Sequence, residues 1–306
     1  MRPPVLLSEK GFGLVVALAA VLAVGILGTF ALRDLSEALR QAGRARDEFK
    51  AYMLARSGVE WVRSVPLEGA EGDENGFWEI WSRLRRRGFR GGMISVNVVD
   101  ESARLNLSTL LDKGDPKSKE VLRRLFNVVG LPEIRHAAIL SSVPAEEGPE
   151  PDPSKSAKRA IFATVGEVKQ LVGRAYAWEL LAPHVTVVSN GKVDVNRAQR
   201  EVLAALFPER GEAAAAAIIS GRSLKPFSSI SELTQSLEKS GVSTSGKTRS
   251  LLGTKSETVT AWSVGEFANQ RQVVAATLRW HKGMWMIVAF RTSARFRNLE
   301  DKPEGF

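Results

Sequence analysis

FGLVVALAAVLAVGILGTFAL, residues 12–32, runs for twenty-one positions without a charge. At about 1.5 Å per residue a helix of that length crosses roughly 30 Å of hydrocarbon, the thickness of a bilayer core. The segment therefore reads as transmembrane. A secretory signal peptide fits less well, because its apolar core covers only about 7 to 15 residues and ends at a small-x-small cleavage site. Flanking charge taken alone puts the N-terminus outside: Arg2 and Lys10 precede the segment, whereas Arg33, Arg40, Arg44, Arg46 and Lys50 follow it.

The apolar pattern continues beyond the membrane boundary. Leu35, Leu39, Ala42, Phe49 and Met53 recur at helical spacing, with Asp34, Glu37, Arg40, Arg44, Asp47, Glu48 and Lys50 on the other faces. The helix is expected to run to about Val62, ahead of Pro66, which makes it roughly 75 Å long for about 50 residues. Residues 12–32 are then the transmembrane segment and 33–65 an amphipathic stalk. A stripe of this kind outside lipid needs a protein neighbour, so these five residues are the expected partner-helix surface.

The whole chain has 306 residues, 44% of them apolar and 25% charged, which excludes wholesale disorder, a collagen-like repeat and a polytopic membrane protein. Zero cysteines exclude a disulfide framework, a thiolate zinc site, an iron–sulfur cluster and a Cys nucleophile. The net charge of +9, from 43 Lys and Arg against 34 Asp and Glu, raises nucleic acid as a partner.

Beyond residue 90 the chain repeats itself. Arg104-Leu105-Asn106-Leu107-Ser108 aligns with Lys192-Val193-Asp194-Val195-Asn196, and Glu120-Val121-Leu122 with Glu201-Val202-Leu203. Ile161 to Val168 lies opposite Pro226 to Leu233, and each copy closes on Leu-Leu before a β-prone run, Val185 to Val188 or Thr258 to Ala261. The unit is strand, several short helices, strand. Ile94–Val99, Leu105–Leu107, Val185–Val188, Val193–Val195 and Thr258–Trp262 are expected to share one sheet with a final hairpin, Gln272–Trp280 and Met284–Arg291, joined at His281-Lys282-Gly283.

The resulting fold class is α+β: a long N-terminal helix packed on an antiparallel sheet, with two inserted helical units. The expected organisation is a leader at 1–11, the anchor and stalk, the start of the head at 66–107, a first helical insertion at 108–184, and central strands at 185–196. A second helical insertion follows at 197–256 and C-terminal strands at 257–306.

Ser8-Glu9-Lys10-Gly11-Phe12, a short polar leader ending in Lys-Gly before a Phe that opens an apolar helix, resembles the prepilin peptidase site of type IV pilins and type II secretion pseudopilins. The resemblance implies cleavage after Gly11, N-methylation of Phe12, and an N-terminus on the cytoplasmic side, against the charge count. Most members carry Glu at the fifth mature residue, where this chain has Val16; the type II secretion minor pseudopilin K (GspK) family resembles the others but lacks that Glu. It also resembles this chain in carrying a helical insertion in a pilin-like head. It implies an inner-membrane protein with a periplasmic head, at the tip of the pseudopilus that serves protein export across the outer membrane, initiating or capping the filament. The implied partners are the I-type and J-type minor pseudopilins, the prepilin peptidase and the inner-membrane secretion platform. The rival is a plain signal anchor with an accidental Lys-Gly-Phe.

Other motifs argue for chemistry less well. Gly241 to Thr248, GVSTSGKT, satisfies the phosphate-loop pattern, but that mechanism needs a buried strand before the loop, and Ile230 to Glu238 has helical spacing instead. A polar linker inside the second helical unit is expected. The repeats are similar to SAM-like or helix-hairpin-helix units of competence-type DNA-binding proteins, which makes a membrane-tethered DNA-binding protein the alternative function. At the hairpin, however, Pro208-Glu209-Arg210-Gly211-Glu212 carries two acids that repel phosphate, so nucleic acid is not expected to bind. Arg83, Arg85, Arg86, Arg87 and Arg90 read as a hydrated helix face, with Trp78 and Trp81 anchored in the core.

His136, His184 and His281 form no metal-binding spacing, and no nucleophile elbow is present, so no enzyme activity is expected. The loop Val143 to Lys158 holds Glu146, Glu147, Glu150 and Asp152, weak candidates for calcium in what reads as a solvated excursion. No other cofactor is expected.

Overall fold

A computed structural model describes residues 9–67, 75–81, 83, 85–112, 116–131, 133–141 and 162–292. In chain order the elements are helix α1 (Glu9–Arg63), helix α2 (Asn75–Trp81), strands β1 (Arg85–Phe89), β2 (Gly92–Asp100) and β3 (Leu105–Asn106), and helices α3 (Leu107–Leu111), α4 (Pro116–Val128), α5 (Glu133–Ser141), α6 (Val165–Val172) and α7 (Ala175–Leu181). Strands β4 (Val185–Thr186) and β5 (Val193–Asp194) come next. They lead to helices α8 (Arg200–Leu206), α9 (Gly211–Leu224), α10 (Ile230–Lys239) and α11 (Gly246–Leu251), then strands β6 (Leu252–Gly253), β7 (Thr258–Phe267), β8 (Gln270–His281) and β9 (Met284–Thr292).

Five strands form one antiparallel sheet in the order β1-β2-β7-β8-β9, and the C-terminal part of α1 lies across β2, β7 and β8. Alternation along the strands makes this possible. Ile94, Val96 and Val98 on β2, Val259 and Ala261 on β7, and Val274, Ala276 and Leu278 on β8 all turn to the helix and are buried against Leu54, Ala55, Val59 and Val62. The β8–β9 hairpin closes at Lys282 and Gly283, whose φ angles of 49° and 82° give the two-residue turn that matches strand twist.

Strand direction fixes what lies at each end. Gln272 Nε2 donates to Glu48 Oε1 at 2.9 Å at the end nearer the apolar segment, and Trp285 Nε1 donates to the Val65 carbonyl at 2.9 Å at the other. Strand β2 therefore finishes, and β7 starts, at the end remote from the anchor. All elements between Asp100 and Thr258 leave and re-enter the sheet there.

Between those points lie the two helical units, with their own continuous core running from Leu105 to Leu252. The repeat is visible in matched hydrogen bonds. Ser108 Oγ donates to the Phe162 carbonyl at 2.9 Å and accepts from its N–H at 3.3 Å; the aligned Asn196 donates to the Phe227 carbonyl at 2.9 Å and accepts from its N–H at 2.8 Å. Two residues on, each copy has the same capping box. Thr164 caps α6 while Glu167 reaches back to the Ala163 N–H, and Ser229 caps α10 while Glu232 reaches back to the Ser228 N–H.

The expected single sheet needs correction. Leu105–Asn106 pairs in parallel with Val185–Thr186, and Val193–Asp194 pairs in parallel with Leu252–Gly253, each as a two-residue ladder outside the main sheet. Each unit closes on itself, because its first and last strands bracket its own helices; only Ile94–Val99 and Thr258–Trp262 join the hairpin as expected. The Arg-rich segment is also not a helix face: Arg85 to Phe89 is the edge strand β1. Trp78 and Trp81 are buried as expected.

Candidate functional site

Helix α1 presents two faces with different fates. Ala51, Leu54, Ala55, Gly58, Val59 and Val62 form the face against the sheet, and small residues let it come close. A Cβ placed on Gly58 would stand 2.0 Å from Ser263 Oγ, and one on Gly265 would stand 2.0 Å from the Ala51 carbonyl oxygen. Neither position tolerates a side chain without displacing the helix from the sheet.

At 3.6 residues per turn, Leu35, Leu39, Ala42, Phe49 and Met53 fall about half a turn away from that face. They form a stripe along the back of the stalk. Leu35, Leu39, Phe49 and Met53 are 58%, 65%, 62% and 42% exposed, and Ala42 is exposed beside them. Polar groups on the stalk pair locally on the surface, Arg40 with Glu37 at 3.3 Å and Arg46, which shares the stripe's face, with Asp47 at 2.8 Å; such pairs add little stability.

Residues 12–32 lie on the same unbroken helix, exposed throughout, in the one described helix long and apolar enough to cross a membrane. Thr29, a polar residue within it, spends its hydroxyl on the Ile26 carbonyl at 2.7 Å, as a segment in hydrocarbon requires. Lys10, Gly11 and Phe12 stand in the first turns of α1, and Val16 one turn further is exposed.

The second assembly of side chains joins the sheet to the helical units, and nothing in the sequence reading singled it out. Asp100 ends β2, Asp194 ends β5, and the hydroxyl of Ser256 lies within hydrogen-bond reach of a carboxylate oxygen of each. Arg197 ion-pairs with Asp100 at 3.4 Å, and its guanidinium sits 3.8 Å from the centre of the Trp78 ring. Arg222 on α9 donates to the carbonyls of Val195 and Ala198 at 2.7 and 2.8 Å.

Burial, and then the neighbouring Asp194 charge, pushes the Asp100 carboxyl up to about 7; burial raises Asp194 too. Two carboxylates this close do not both ionise readily, and the Ser256 hydroxyl has one proton to offer them, so the pair holds a proton near neutrality. The arrangement is a joint that ties the end of β2 to the end of β5 through Ser256. Among the described residues no group of three or more His, Cys, Asp or Glu converges. Glu146, Glu147, Glu150 and Asp152 lie outside the described residues.

The remaining motifs have structural roles. Gly241 to Thr248 follows helix α10, not a strand. Ser245 caps the six-residue α11, and the buried Thr248 hydroxyl donates to the Leu206 carbonyl at 3.3 Å, so the loop is packed into the unit instead of the linker expected. In the hairpin between α8 and α9, Glu212 pairs with Arg200 at 2.7 Å and Arg210 donates to the Gly241 carbonyl at 2.9 Å. These surface charges pair within the unit, where a DNA-gripping hairpin turns backbone amides toward phosphate.

A helix that is greasy on every side in its first half and long enough to cross a membrane, docked on an antiparallel sheet in its second, with the far end of that sheet extended by helical units, defines a pilin-like fold. Residues 193–255, which span the second helical unit, match the family described as type II secretion system (T2SS), protein K. The whole fold is similar to a chain in the crystal structure of the GspK-GspI-GspJ complex from the type 2 secretion system of enterotoxigenic Escherichia coli. The TM-score is 0.55 at 16% identity, and the likeness covers 86% of this chain and 98% of that one. No curated protein matches the sequence. The family match covers the second helical unit, and the likeness of fold extends over most of the chain.

Proposed function

We propose that this chain is the tip subunit of a type II secretion pseudopilus, matured by a prepilin peptidase after Gly11 and N-methylated at Phe12. It starts or caps the filament that carries proteins across the outer membrane. The observation that carries the reading is the placement of the helical units: the described elements between Asp100 and Thr258 leave and re-enter the sheet at its end remote from the anchor. A subunit stacked above would have to displace that mass, whereas the stripe on the back of α1 stays open to a neighbouring helix alongside or below.

The anchor crosses the inner membrane with its N-terminus cytoplasmic and its head periplasmic. In this reading Val16 replaces the acidic residue that other subunits use toward the amine above them, and a tip subunit has nothing above it. The stripe Leu35, Leu39, Ala42, Phe49 and Met53 receives the stalk helices of the I-type and J-type minor pseudopilins, and the same anchor meets the secretion platform. The work is assembly, with no chemical step. The alternative, a tethered DNA-binding protein, has no support in the hairpin, where Glu209 and Glu212 repel phosphate and Arg210 is engaged by the Gly241 carbonyl.

Coexpression of the full chain with a prepilin peptidase tests the proposal. Mass spectrometry should show loss of residues 1–11 and a methylated Phe12 in the wild type, with Gly11→Asp uncleaved. A wild-type chain that keeps its leader, beside a pseudopilin that is cut in the same cells, overturns it.

A further inference from the structure

The two edges of the main sheet differ in kind. Strand β1 is five residues, three of them consecutive arginines, the sort of charged short edge that discourages pairing with another chain. Strand β9 is nine residues, MWMIVAFRT, and among the described residues pairs on one side only, with β8, its register slipping by one residue at Val288. Met284, Met286, Ile287, Val288 and Phe290 along it are between 39% and 61% exposed. Arg63 donates to the Trp285 carbonyl at 3.3 Å, and the slip at Val288 bends the strand, but the apolar edge from Met286 to Phe290 carries no charge of its own and remains a template for a further strand.

What occupies it is constrained by charge and by the anchor. The hairpin from Gln270 to Thr292 contains Arg271, Arg279, Lys282 and Arg291 and no acid. Arg271 is answered by Glu266 from β7 and Arg279 by the Val188 carbonyl, while Lys282 and Arg291 have no ion pair among the described residues. The complementary segment therefore carries carboxylates beside its apolar residues. A second copy fails geometrically: antiparallel pairing of two β9 strands about a two-fold axis would point their α1 anchors in opposite directions, which one bilayer does not accommodate. The anchoring bilayer itself is out of reach, since the sheet begins near residue 50 of α1, some 18 residues or about 27 Å beyond Leu32.

We propose that the β9 edge receives an extended, acid-bearing segment of a neighbouring minor pseudopilin as a sixth strand, main chain to main chain, while the α1 stripe holds that neighbour's helix. The inference rests on the assembly reading above but names a different surface. Edge amides of β9 supply the pairing, Ile287 and Phe290 take apolar side chains on the α1 side, and Lys282 and Arg291 take the carboxylates at the two ends.

Hydrogen exchange on the full chain in detergent, alone and in complex with the I-type and J-type minor pseudopilins of its own secretion system, tests it. The expected result is at least a tenfold slowing of edge-facing amides between Met286 and Thr292 in the complex, with β1 unchanged. Val288→Lys should weaken the complex at least tenfold while leaving the thermal midpoint of the free chain in place.

A complex that protects α1 but leaves β9 exchange unaltered, or that tolerates Val288→Lys, overturns the edge inference alone. Failure to form any complex overturns the assembly reading with it. Protection of β9 by phosphatidylglycerol vesicles without partner, or protection that grows with the concentration of the chain alone, assigns the edge to lipid or to self-pairing and also overturns the inference.

Discussion

Gly58 on α1 and Ser263 on β7 face each other so closely that a Cβ on the glycine would sit 2.0 Å from the serine hydroxyl oxygen. This contact sets the depth at which the stalk seats on the sheet. Gly58→Val forces the helix outward over several turns, and overpacking of this kind costs about 1 to 3 kcal/mol or more. Thermal unfolding of the full chain in detergent should show a midpoint lowered by several degrees, with Gly28→Val, which meets nothing within 4 Å, unchanged. Equal midpoints would mean the helix does not seat as described.

The shared proton at the joint makes stability depend on pH. Because the Asp100 carboxyl stands at about 7 in the folded chain against 3.8 unfolded, the folded state binds the extra proton between those values. Stability is then greatest below the unfolded value, falls as pH rises from about 4 to about 7, and flattens above. Three units correspond to no more than about 4 kcal/mol, shared with the coupled Asp194. Asp100→Asn should flatten the profile across that window and match or exceed the wild type at pH 8, read by denaturant unfolding at a series of pH values. A wild-type profile that rises from pH 4 to 7 contradicts the joint.

The Asn196 side chain makes three hydrogen bonds, to the Phe227 N–H and carbonyl and to the Thr254 carbonyl, and so ties the segment after β5 to those before α10 and after β6. Asn196→Ala leaves these half-buried groups unpaired and should cost about 1 to 3 kcal/mol. Ser108→Ala, the aligned change in the first unit, removes only one hydroxyl and should cost about half as much. Chemical unfolding of the two variants side by side checks the ordering, and a larger loss at Ser108 would count against the repeat having equivalent roles.

The stripe separates folding from assembly. Phe49→Asp and Met53→Asp alter side chains that are exposed in the isolated chain, so each should shift stability by no more than about 0.5 kcal/mol. Secretion in a strain relying on the variant should nonetheless fall at least tenfold, because the exposed helix face loses the apolar surface a neighbour buries. Normal secretion from the double variant would remove the stripe from the interface.

Much of this architecture was legible in the residues. The anchor needs only its uninterrupted apolar run, the terminal hairpin needs Lys-Gly between two β-prone runs, and the repeat is carried by aligned strand ends and capping boxes that use the same Ser or Thr and Glu at the same spacing. The sheet was legible only in part. Leu105, Val185, Val193 and Leu252 have the composition of central strands, yet each pairs locally because the helices between them fold back within one unit. Arg85 to Arg87 misled in the other direction, since three arginines suit a hydrated helix as well as an edge strand, and pairing with Ile94 to Val96 decides it. The joint was invisible for a plainer reason. Asp100, Asp194, Arg197 and Ser256 are polar residues at element ends, where solvated loops look the same, and only the closure of the helical units over the sheet buries them together.

The position of this chain in the filament is the claim on which the account stands, and the absence of cysteine makes it directly measurable. Leu224, 88% exposed on the second helical unit, can be replaced as Leu224→Cys and labelled with maleimide-gold on pseudopili sheared from cells, then imaged by electron microscopy. The account predicts gold at one end of each filament and none along the shaft. Gold spaced regularly along the shaft would contradict it.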